Sequence, residues 1–277
     1  MDSLKQTPMP DEIRQLVRDG YTFVVNSSGG KDSQAMFLYI YSHVPRDQIV
    51  VIHAVLPEVE WDGVEDHIRN TIMGLTLHTC RSRRTLLQMV QERGMFPSPK
   101  QRQCTSDLKR GPIERTIRQL GIKKIVNCMG MRAEESSNRA KLTTFKLSTR
   151  NSKAGRQWYD WLPIHDWKVE QVFASIKQAG QKPHWAYEAG MSRLSCCFCI
   201  MASKDDLTTA ARLNPTLYER YVQLERSTGQ VMMMPTKKHG RRTLEDITGI
   251  YIDDQPSKYP VFMMQAQPVR TTHEIAV

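Results

Sequence analysis

A glycine-rich turn between two apolar runs is the stretch of this sequence best suited to chemistry. It reads VVNSSGGKDSQAMFLY over residues 24–39. Gly29 and Gly30 can adopt positive φ and let backbone N–H groups converge, since no Cβ stands in the way. The second apolar run predicts a helix, and a helix N-terminus attracts an anion. We therefore predict a phosphate-binding turn. Hydroxyl groups and a positive charge are added by Ser28, Ser33 and Lys31.

Two familiar phosphate loops do not match this turn. A Walker A loop requires Gly-Lys followed by Ser or Thr, whereas Gly30 and Lys31 are followed here by Asp32. A dinucleotide-binding turn requires the pattern G-x-G-x-x-G directly after the strand, and no such pattern follows this one. The turn is therefore expected to serve a different phosphate chemistry.

Residues 27–33 (SSGGKDS) are similar to the SGGKDS pyrophosphate loop of the adenine nucleotide alpha-hydrolase-like superfamily, and are called the PP-loop below. N-type ATP pyrophosphatases and phosphoadenylylsulfate (PAPS) reductases share that loop. The resemblance implies binding of the β,γ-pyrophosphate of ATP, or of the analogous group of PAPS, with cleavage on the α-phosphorus side. Mg²⁺ is expected to neutralise the triphosphate. The resemblance assigns nucleotide binding to Ser28, Gly29, Gly30, Lys31 and Ser33, and catalysis to Lys31, Asp32 and Ser33.

The likeness to the PAPS reductase family extends over roughly residues 20–205. The stretch HAVLPEVEWDGVEDHI, which begins at His53, resembles the second strand of the family and the acidic segment after it. In relatives the backbone of that strand contacts the adenine ring. The resemblance therefore implies that adenine lies near His53, Ala54 and Val55.

Two later stretches resemble the anion-binding parts of the same family. RQCTSDLKRGPI, which begins at Arg102, implies that Lys109 reaches an anion. GMRAEESSNR, which begins at Gly130, resembles the pattern G-x-R-x-x-E-S-x-x-R. In relatives the matching arginine lies beside the phosphate or sulfate, which implies that Gly130 and Arg132 bind the nucleotide and that Arg132 takes part in catalysis. Arginine suits this role because its planar fork pairs with two phosphate oxygens.

The cysteines are expected to be reduced thiols or metal ligands, since three of the six fall within four residues. The stretch YEAGMSRLSCCFCI, which begins at Tyr187, resembles the family pattern Y-x-x-G-x-x-R-x-G-C-x-x-C, with Ser195 in place of the glycine. Two thiolates three residues apart can converge on one metal centre. A [4Fe–4S] cluster is expected, with zinc as the rival. The implied ligands are Cys196, Cys199, Cys104 and, as the fourth, Cys197.

Gln103 stands where iron–sulfur adenylylsulfate reductases carry a second cysteine, which leaves the fourth ligand open. Cys80 and Cys128 lie in or beside apolar strands and are interpreted as core thiols.

Two reactions are compatible with this family resemblance. One is cleavage of ATP to AMP and pyrophosphate, which adenylates a substrate that sulfur then attacks, as in DNA phosphorothioation ATP pyrophosphatases. The other is reduction of PAPS or adenylylsulfate to sulfite by a nucleophilic cysteine near the C-terminus. No cysteine follows Cys199, so the first reaction is favoured. A protein that binds the nucleotide without turnover stays open as a third hypothesis.

The charge is unevenly spread along the chain. The net charge is +10, yet residues 1–66 hold 5 basic and 11 acidic residues, whereas residues 81–124 hold 12 basic and 3 acidic ones. Residues 132–156 add 7 basic against 2 acidic residues. A basic face for a nucleic acid and a pocket for a small anion are equally compatible with this pattern. The other expected partners are a cysteine desulfurase as sulfur donor and a second copy of the chain.

No run of eighteen apolar residues and no signal-peptide pattern occurs, so a cytoplasmic protein without membrane contact is expected.

The periodicity predicts the elements that must position these residues. Their order, β-α-β-α-β-α-α-β, predicts a doubly wound, mostly parallel α/β sheet with a helical C-terminal extension. We expect a nucleotide-binding domain over residues 1–205, which includes the cysteine cluster, and the extension over residues 206–277. Strands are predicted at 21–27, 49–56, 75–80 and 124–132, and helices at 10–19, 33–43, 64–75, 85–94, 113–121, 168–180 and 214–229. Residues 136–158 are predicted to form a long loop, and the last dozen residues a loose tail.

Overall fold

The computed structural model describes residues 8–253 of the 277-residue chain. The predicted loose tail lies outside the described residues. No helix among residues 8–253 is long and apolar enough to cross a membrane. The strands are β1 (Thr22–Asn26), β2 (Ile49–Ala54), β3 (Leu77–Cys80), β4 (Lys124–Cys128), β5 (Phe145–Leu147) and β6 (Gln157–Trp161). The helices are α1 (Asp11–Arg18), α2 (Lys31–His43), α3 (Val64–Thr71), α4 (Leu86–Arg93), α5 (Gln103–Thr105), α6 (Gly111–Gln119), α7 (Ser137–Ala140), α8 (Val169–Gln178), α9 (Trp185–Glu188), α10 (Lys204–Leu213), α11 (Pro215–Thr228) and α12 (Leu244–Thr248).

The six strands form one sheet in the order β3-β2-β1-β4-β6-β5. All neighbouring pairs are parallel except β5 with β6, which is antiparallel. The chain leaves β1 toward β2 and β3 and later returns to the other side of β1 with β4, so the strand order reverses there. Ligands of such sheets bind outside the carboxyl ends of the strands at this reversal point. The PP-loop follows β1 directly and therefore lies at that point.

The sheet is covered on both faces, as predicted. Alternate residues of β1 point to opposite sides, so Phe23 and Val25 join a large core while Val24 joins a second, smaller one. The smaller core also contains Ile52 and Trp158. The α/β fold with a mostly parallel sheet is thus confirmed.

The prediction of a long loop over residues 136–158 is wrong. This segment contains α7 and β5, and its end begins β6, which pairs with both β4 and β5. Phe145 stacks on Tyr159 with ring centroids 5.0 Å apart. The sequence did not predict strand β5, because it has only three residues and lies at the sheet edge, where polar side chains are tolerated.

The C-terminal helices α10 to α12 share a hydrophobic core with the sheet. Pro215 occupies the first position of α11, and Gly229 ends it with φ of 63°. Asn214 does not cap this helix, because its side chain donates to the carbonyl of Ala210 instead. Helices α10 and α12 were not predicted. The domain boundary at residue 205 stays a prediction.

One buried carboxylate holds the segment between α11 and α12. The two oxygens of Glu225 accept hydrogen bonds from the backbone N–H groups of Met232, at 2.6 Å, and Leu244, at 2.8 Å. Glu225 is only 5% exposed. Because each oxygen has its own donor, a side chain with one acceptor oxygen cannot replace this carboxylate.

We predict that Glu225→Gln lowers the free energy of unfolding by about 1–3 kcal/mol, since its amide N–H₂ would face a buried N–H donor. Urea denaturation of the purified protein measures this change. Glu219→Gln, on the same helix, is the matched control, and we expect an effect below about 0.5 kcal/mol there. Equal stability of the two variants would show that Glu225 does not hold the segment.

Candidate functional site

The PP-loop is closed by one hydroxyl group. Ser33 Oγ donates to the carbonyl of Gly30 at 2.8 Å and accepts from the N–H of Ser28 at 3.2 Å. Gly29 has φ of 73°, a left-handed conformation in which a Cβ would also lie 3.0 Å from Val64 Cγ1. The loop therefore turns tightly between β1 and α2. The two predicted hydroxyl groups, on Ser28 and Ser33, lie 3.4 Å apart.

Two cations meet one carboxylate at the first turn of α2. Lys31 Nζ lies 3.1 Å from Asp32 Oδ2, and Arg132 Nε lies 2.6 Å from Asp32 Oδ1. Both cationic residues are buried, at 5% and 4% exposure. Arg132 also donates to Glu134 and to the carbonyl of Trp167. The structure thus brings together Lys31, Asp32 and Arg132, although they come from segments a hundred residues apart.

Gly130 lets the segment that carries Arg132 approach α2. A Cβ at this position would lie 2.9 Å from the carbonyl oxygen of Asp32 and 3.0 Å from its carbonyl carbon. Real Cβ atoms do not come so close to backbone atoms, so a side chain here would force the two segments apart. Gly130 therefore acts through close backbone approach.

The cations line a pocket of about 430 Å³. Its other walls come from α8, through Phe173, and from the segment that follows α9, through Ser192 and Arg193. The pocket opens at the N-terminus of α2, where the helix dipole favours an anion. Its buried cations suit an anionic group such as a phosphate.

Tyr187 is the main pocket residue that sequence reasoning missed. Its hydroxyl oxygen accepts hydrogen bonds from the N–H groups of Lys31, at 3.0 Å, and Leu194, at 3.2 Å. The ammonium of Lys31 lies 5.3 Å from the centre of its ring. Burial raises the pKa of Tyr187 to about 12, so the phenol keeps its proton. A signal was available, because Tyr187 opens the family pattern that also contains the cysteines.

The predicted adenine contacts lie beside the PP-loop, at the carboxyl end of β2. His53 is 2% exposed, and its Nδ1 lies 2.9 Å from the carbonyl of Ser27 and its Nε2 3.3 Å from Glu60. The N–H of Val55 donates to the carbonyl of Cys80 at 2.8 Å. The side chain of His53 therefore joins β2 to the PP-loop, and contact of adenine with His53, Ala54 and Val55 stays a prediction.

Cys104, Cys196 and Cys199 lie in one neighbourhood, where their charges interact with one another. Burial raises the pKa of Cys196 to about 12, against a smaller lowering by the ammonium of Lys109. Lys109 thus lies among the thiols, and it does not line the pocket at the PP-loop. The hydroxyl of Tyr221 is buried beside these thiols and has no hydrogen-bond partner among the described residues.

The predicted metal centre stays a prediction. Within residues 8–253, no group of three or more His, Cys, Asp or Glu side chains is arranged to hold a metal ion. Cys197, the predicted fourth ligand, is a core residue at 1% exposure, and burial raises the pKa of its thiol to about 12. Cys128 is a core thiol, as predicted, and Cys80 is partly buried.

We predict that Tyr187→Phe lowers the free energy of unfolding by about 1–3 kcal/mol, because two backbone N–H groups lose their acceptor. Chemical denaturation measures this loss. Tyr251→Phe, at a position that is 69% exposed, is the control and should change stability by less than about 0.5 kcal/mol. An unchanged stability of Tyr187→Phe would mean that the hydroxyl does not hold the PP-loop.

Comparison with known proteins identifies similar sequences and structures. Similar sequences include an uncharacterised 37.8 kDa protein of Escherichia phage 186, 32% identical over 50% of this chain and 42% of that protein. An uncharacterised protein of Methanocaldococcus jannaschii is 27% identical over 72% of this chain and 40% of that protein. The chain thus spans less than half the length of these relatives.

Similar solved structures include a PAPS reductase of Candida auris in complex with phosphate, with a TM-score of 0.47 and 16% identity over 70% of this chain and 93% of that chain. The FMN adenylyltransferase of Candida glabrata gives a TM-score of 0.47 and 12% identity over 70% of this chain and 60% of that chain. The family model of the phosphoadenosine phosphosulfate reductase domain matches residues 22–202. Because this match covers more than half of the sequence, the chain belongs to the phosphoadenosine phosphosulfate reductase domain family.

Proposed function

We propose that the protein is a PP-loop ATP pyrophosphatase, which cleaves ATP to AMP and pyrophosphate and so adenylates a substrate for sulfur incorporation. The observation that carries this proposal is the pair of buried cations, Lys31 and Arg132, held by Asp32 at the N-terminus of α2. The substrate proposed is a nucleic acid, because the basic segments flank this site in the sequence.

The pocket supports charge stabilisation on the leaving group. A substrate oxygen would attack the α-phosphorus of ATP, and the bond to the bridging oxygen would break. Pyrophosphate would leave with the electron pair and its added negative charge. We propose that Lys31 and Arg132 neutralise that charge, and Mg²⁺ bound to the phosphates would add to the effect.

Asp32 keeps the two cations in place before the nucleotide arrives. Its carboxylate accepts a hydrogen bond from each cation. Binding of pyrophosphate oxygens to the same donors would therefore replace one anion by another. Preorganised charges of this kind cost little reorganisation during the reaction. Asp32 is therefore proposed as the residue that positions Lys31 and Arg132.

We propose that the thiols take part in the sulfur-transfer step of the reaction. A persulfide supplied by a cysteine desulfurase would attack the adenylated substrate, and AMP would leave. A second thiol would then attack the resulting disulfide and release the sulfurated substrate, and the candidate thiols for this chemistry are Cys104, Cys196 and Cys199. No step of the proposed reaction is assigned to a metal centre.

The family name supports a second candidate function. A PAPS reductase would bind a sulfate group where we place pyrophosphate, and the buried cations would suit either anion. The product would then be sulfite, and the reductant would be a thiol protein such as thioredoxin.

We predict that the protein releases pyrophosphate and AMP from Mg²⁺-ATP in the presence of a nucleic-acid acceptor. Lys31→Ala should lower the rate by about 10²–10³-fold, because one charged donor to the leaving group is lost. Lys123→Ala is the matched control, since Lys123 precedes β4 at the opposite edge of the sheet, and its rate should equal that of the unchanged protein. Sulfite production from PAPS and thioredoxin, without pyrophosphate release from ATP, would establish the second function instead.

Metal analysis tests the predicted cluster separately. The family resemblance predicts iron and acid-labile sulfide in equal amounts in protein purified without oxygen, lost in Cys196→Ser and Cys104→Ser and kept in Cys80→Ser. Bound zinc would establish the rival site. Absence of both metals from the purified protein would contradict the predicted centre.

A further inference from the structure

A second cleft, of about 720 Å³, opens beside the carboxyl end of β3. Its walls come from the segment between β3 and α4, from α4 itself and from the helical segment that runs from α5 to α6. Three arginines line it, namely Arg83, Arg84 and Arg115. Nothing in the site at the PP-loop uses these residues.

The acidic residues of the cleft are already engaged with one arginine. Arg84 pairs with Glu92, at 2.9 Å, and with Asp107, at 3.5 Å, and so joins α4 to the opposite wall. Arg83 and Arg115 are exposed, and neither has a carboxylate partner among residues 8–253. Two guanidinium groups are therefore available for an anion from solution.

The cleft opens at the same edge of the sheet as the PP-loop. The charge of Arg115 acts on the thiol of Cys80, the last residue of β3, which places Arg115 at the carboxyl end of that strand. Only β2 separates β3 from β1, so the two strand ends are ~10 Å apart. A chain of phosphates bound in the cleft can thus extend toward the nucleotide pocket.

The open shape of the cleft suits a polyanion better than a small ligand. Sites for small phosphorylated molecules bury the ligand among convergent donors, as the pocket with Lys31 and Arg132 does. Exposed arginines along an open cleft instead suit a repeating phosphate backbone, whose binding is strengthened by release of counterions. The surrounding residues 81–124 hold 12 basic and 3 acidic residues, which extends the positive field.

We infer that this cleft binds the phosphodiester backbone of a nucleic acid, with Arg83 and Arg115 as phosphate contacts. The inference rests on the proposed function, for which it supplies the place where the substrate is held. Backbone contacts fix the position of a strand without reading its sequence. Binding is therefore expected to depend on salt and to be similar for different sequences.

The test measures binding of fluorescently labelled DNA and RNA oligonucleotides, single-stranded and duplex, by anisotropy at several salt concentrations. We expect Arg83→Ala and Arg115→Ala each to weaken binding about fivefold and to lower the slope of log K against log salt by about 1. Arg83→Lys and Arg115→Lys should keep the slope, because the charge remains. The four oligonucleotides show which nucleic acid supplies the backbone.

Arg18→Ala is the control, since Arg18 ends α1 at the opposite edge of the sheet and carries the same charge. Its affinity for the oligonucleotides should equal that of the unchanged protein. Affinity for pyrophosphate, measured by calorimetry, should be the same in all these variants. Loss of oligonucleotide binding in the cleft variants without ATP cleavage by the unchanged protein would support the cleft and reject the proposed reaction.

Three results would overturn the inference. The first is binding of none of the oligonucleotides at about 50 mM salt, where backbone contacts are strong. The second is equal binding by the cleft variants and by Arg18→Ala. The third is a parallel loss of pyrophosphate affinity in the cleft variants, which would make the cleft a part of the nucleotide site.

Discussion

The carboxylate of Asp32 lies between two buried cations, and the nucleotide site depends on this contact. Burying Lys31 or Arg132 without a counter-charge would be costly, because a lone ion in the protein interior loses its hydration. Asp32 offsets this cost for both, at 3.1 Å and 2.6 Å. The same contact joins α2 to the segment after β4, so the charge pair also fixes the relative position of two elements.

The contact forms only because several segments approach α2 closely. Gly130 removes the side chain that would hold its segment away. On the other side, the hydroxyl of Tyr187 bonds the first N–H of α2 and fixes the segment that carries Ser192 and Arg193. Parallel strands make this convergence possible, since their carboxyl ends all lie at one edge of the sheet.

The carboxyl edge of the sheet is divided among three environments. A pocket with buried cations follows β1, and an open cleft with exposed arginines follows β3. The thiols lie near Lys109, which belongs to the helical segment between β3 and β4. The C-terminal helices complete the thiol environment, since the ring of Tyr221 lies 5.0 Å from Phe198 and 6.3 Å from Phe96. In the proposed reaction, pyrophosphate, a polyanion and sulfur would each be bound at a different part of this one edge.

The sequence by itself determined the PP-loop and most of the sheet. Glycine spacing and hydrophobic periodicity act between residues close in the chain, so they predicted β1, α2, α4 and α11. Family resemblance added Gly130 and Arg132, which the structure places at the first turn of α2. The short edge strand β5 was missed because three residues carry too little pattern.

Only the tertiary structure decided which groups face one another. Lys109 lies among the thiols instead of at the nucleotide pocket, and Cys197 is buried in the core. The tertiary structure also brings Tyr187 to α2, and Arg83 and Arg115 to one cleft. These contacts join residues far apart in the chain, and their distances follow from strand order and helix packing. Local sequence patterns do not contain that information, which is why they predicted the phosphate loop but not the surroundings in which it acts.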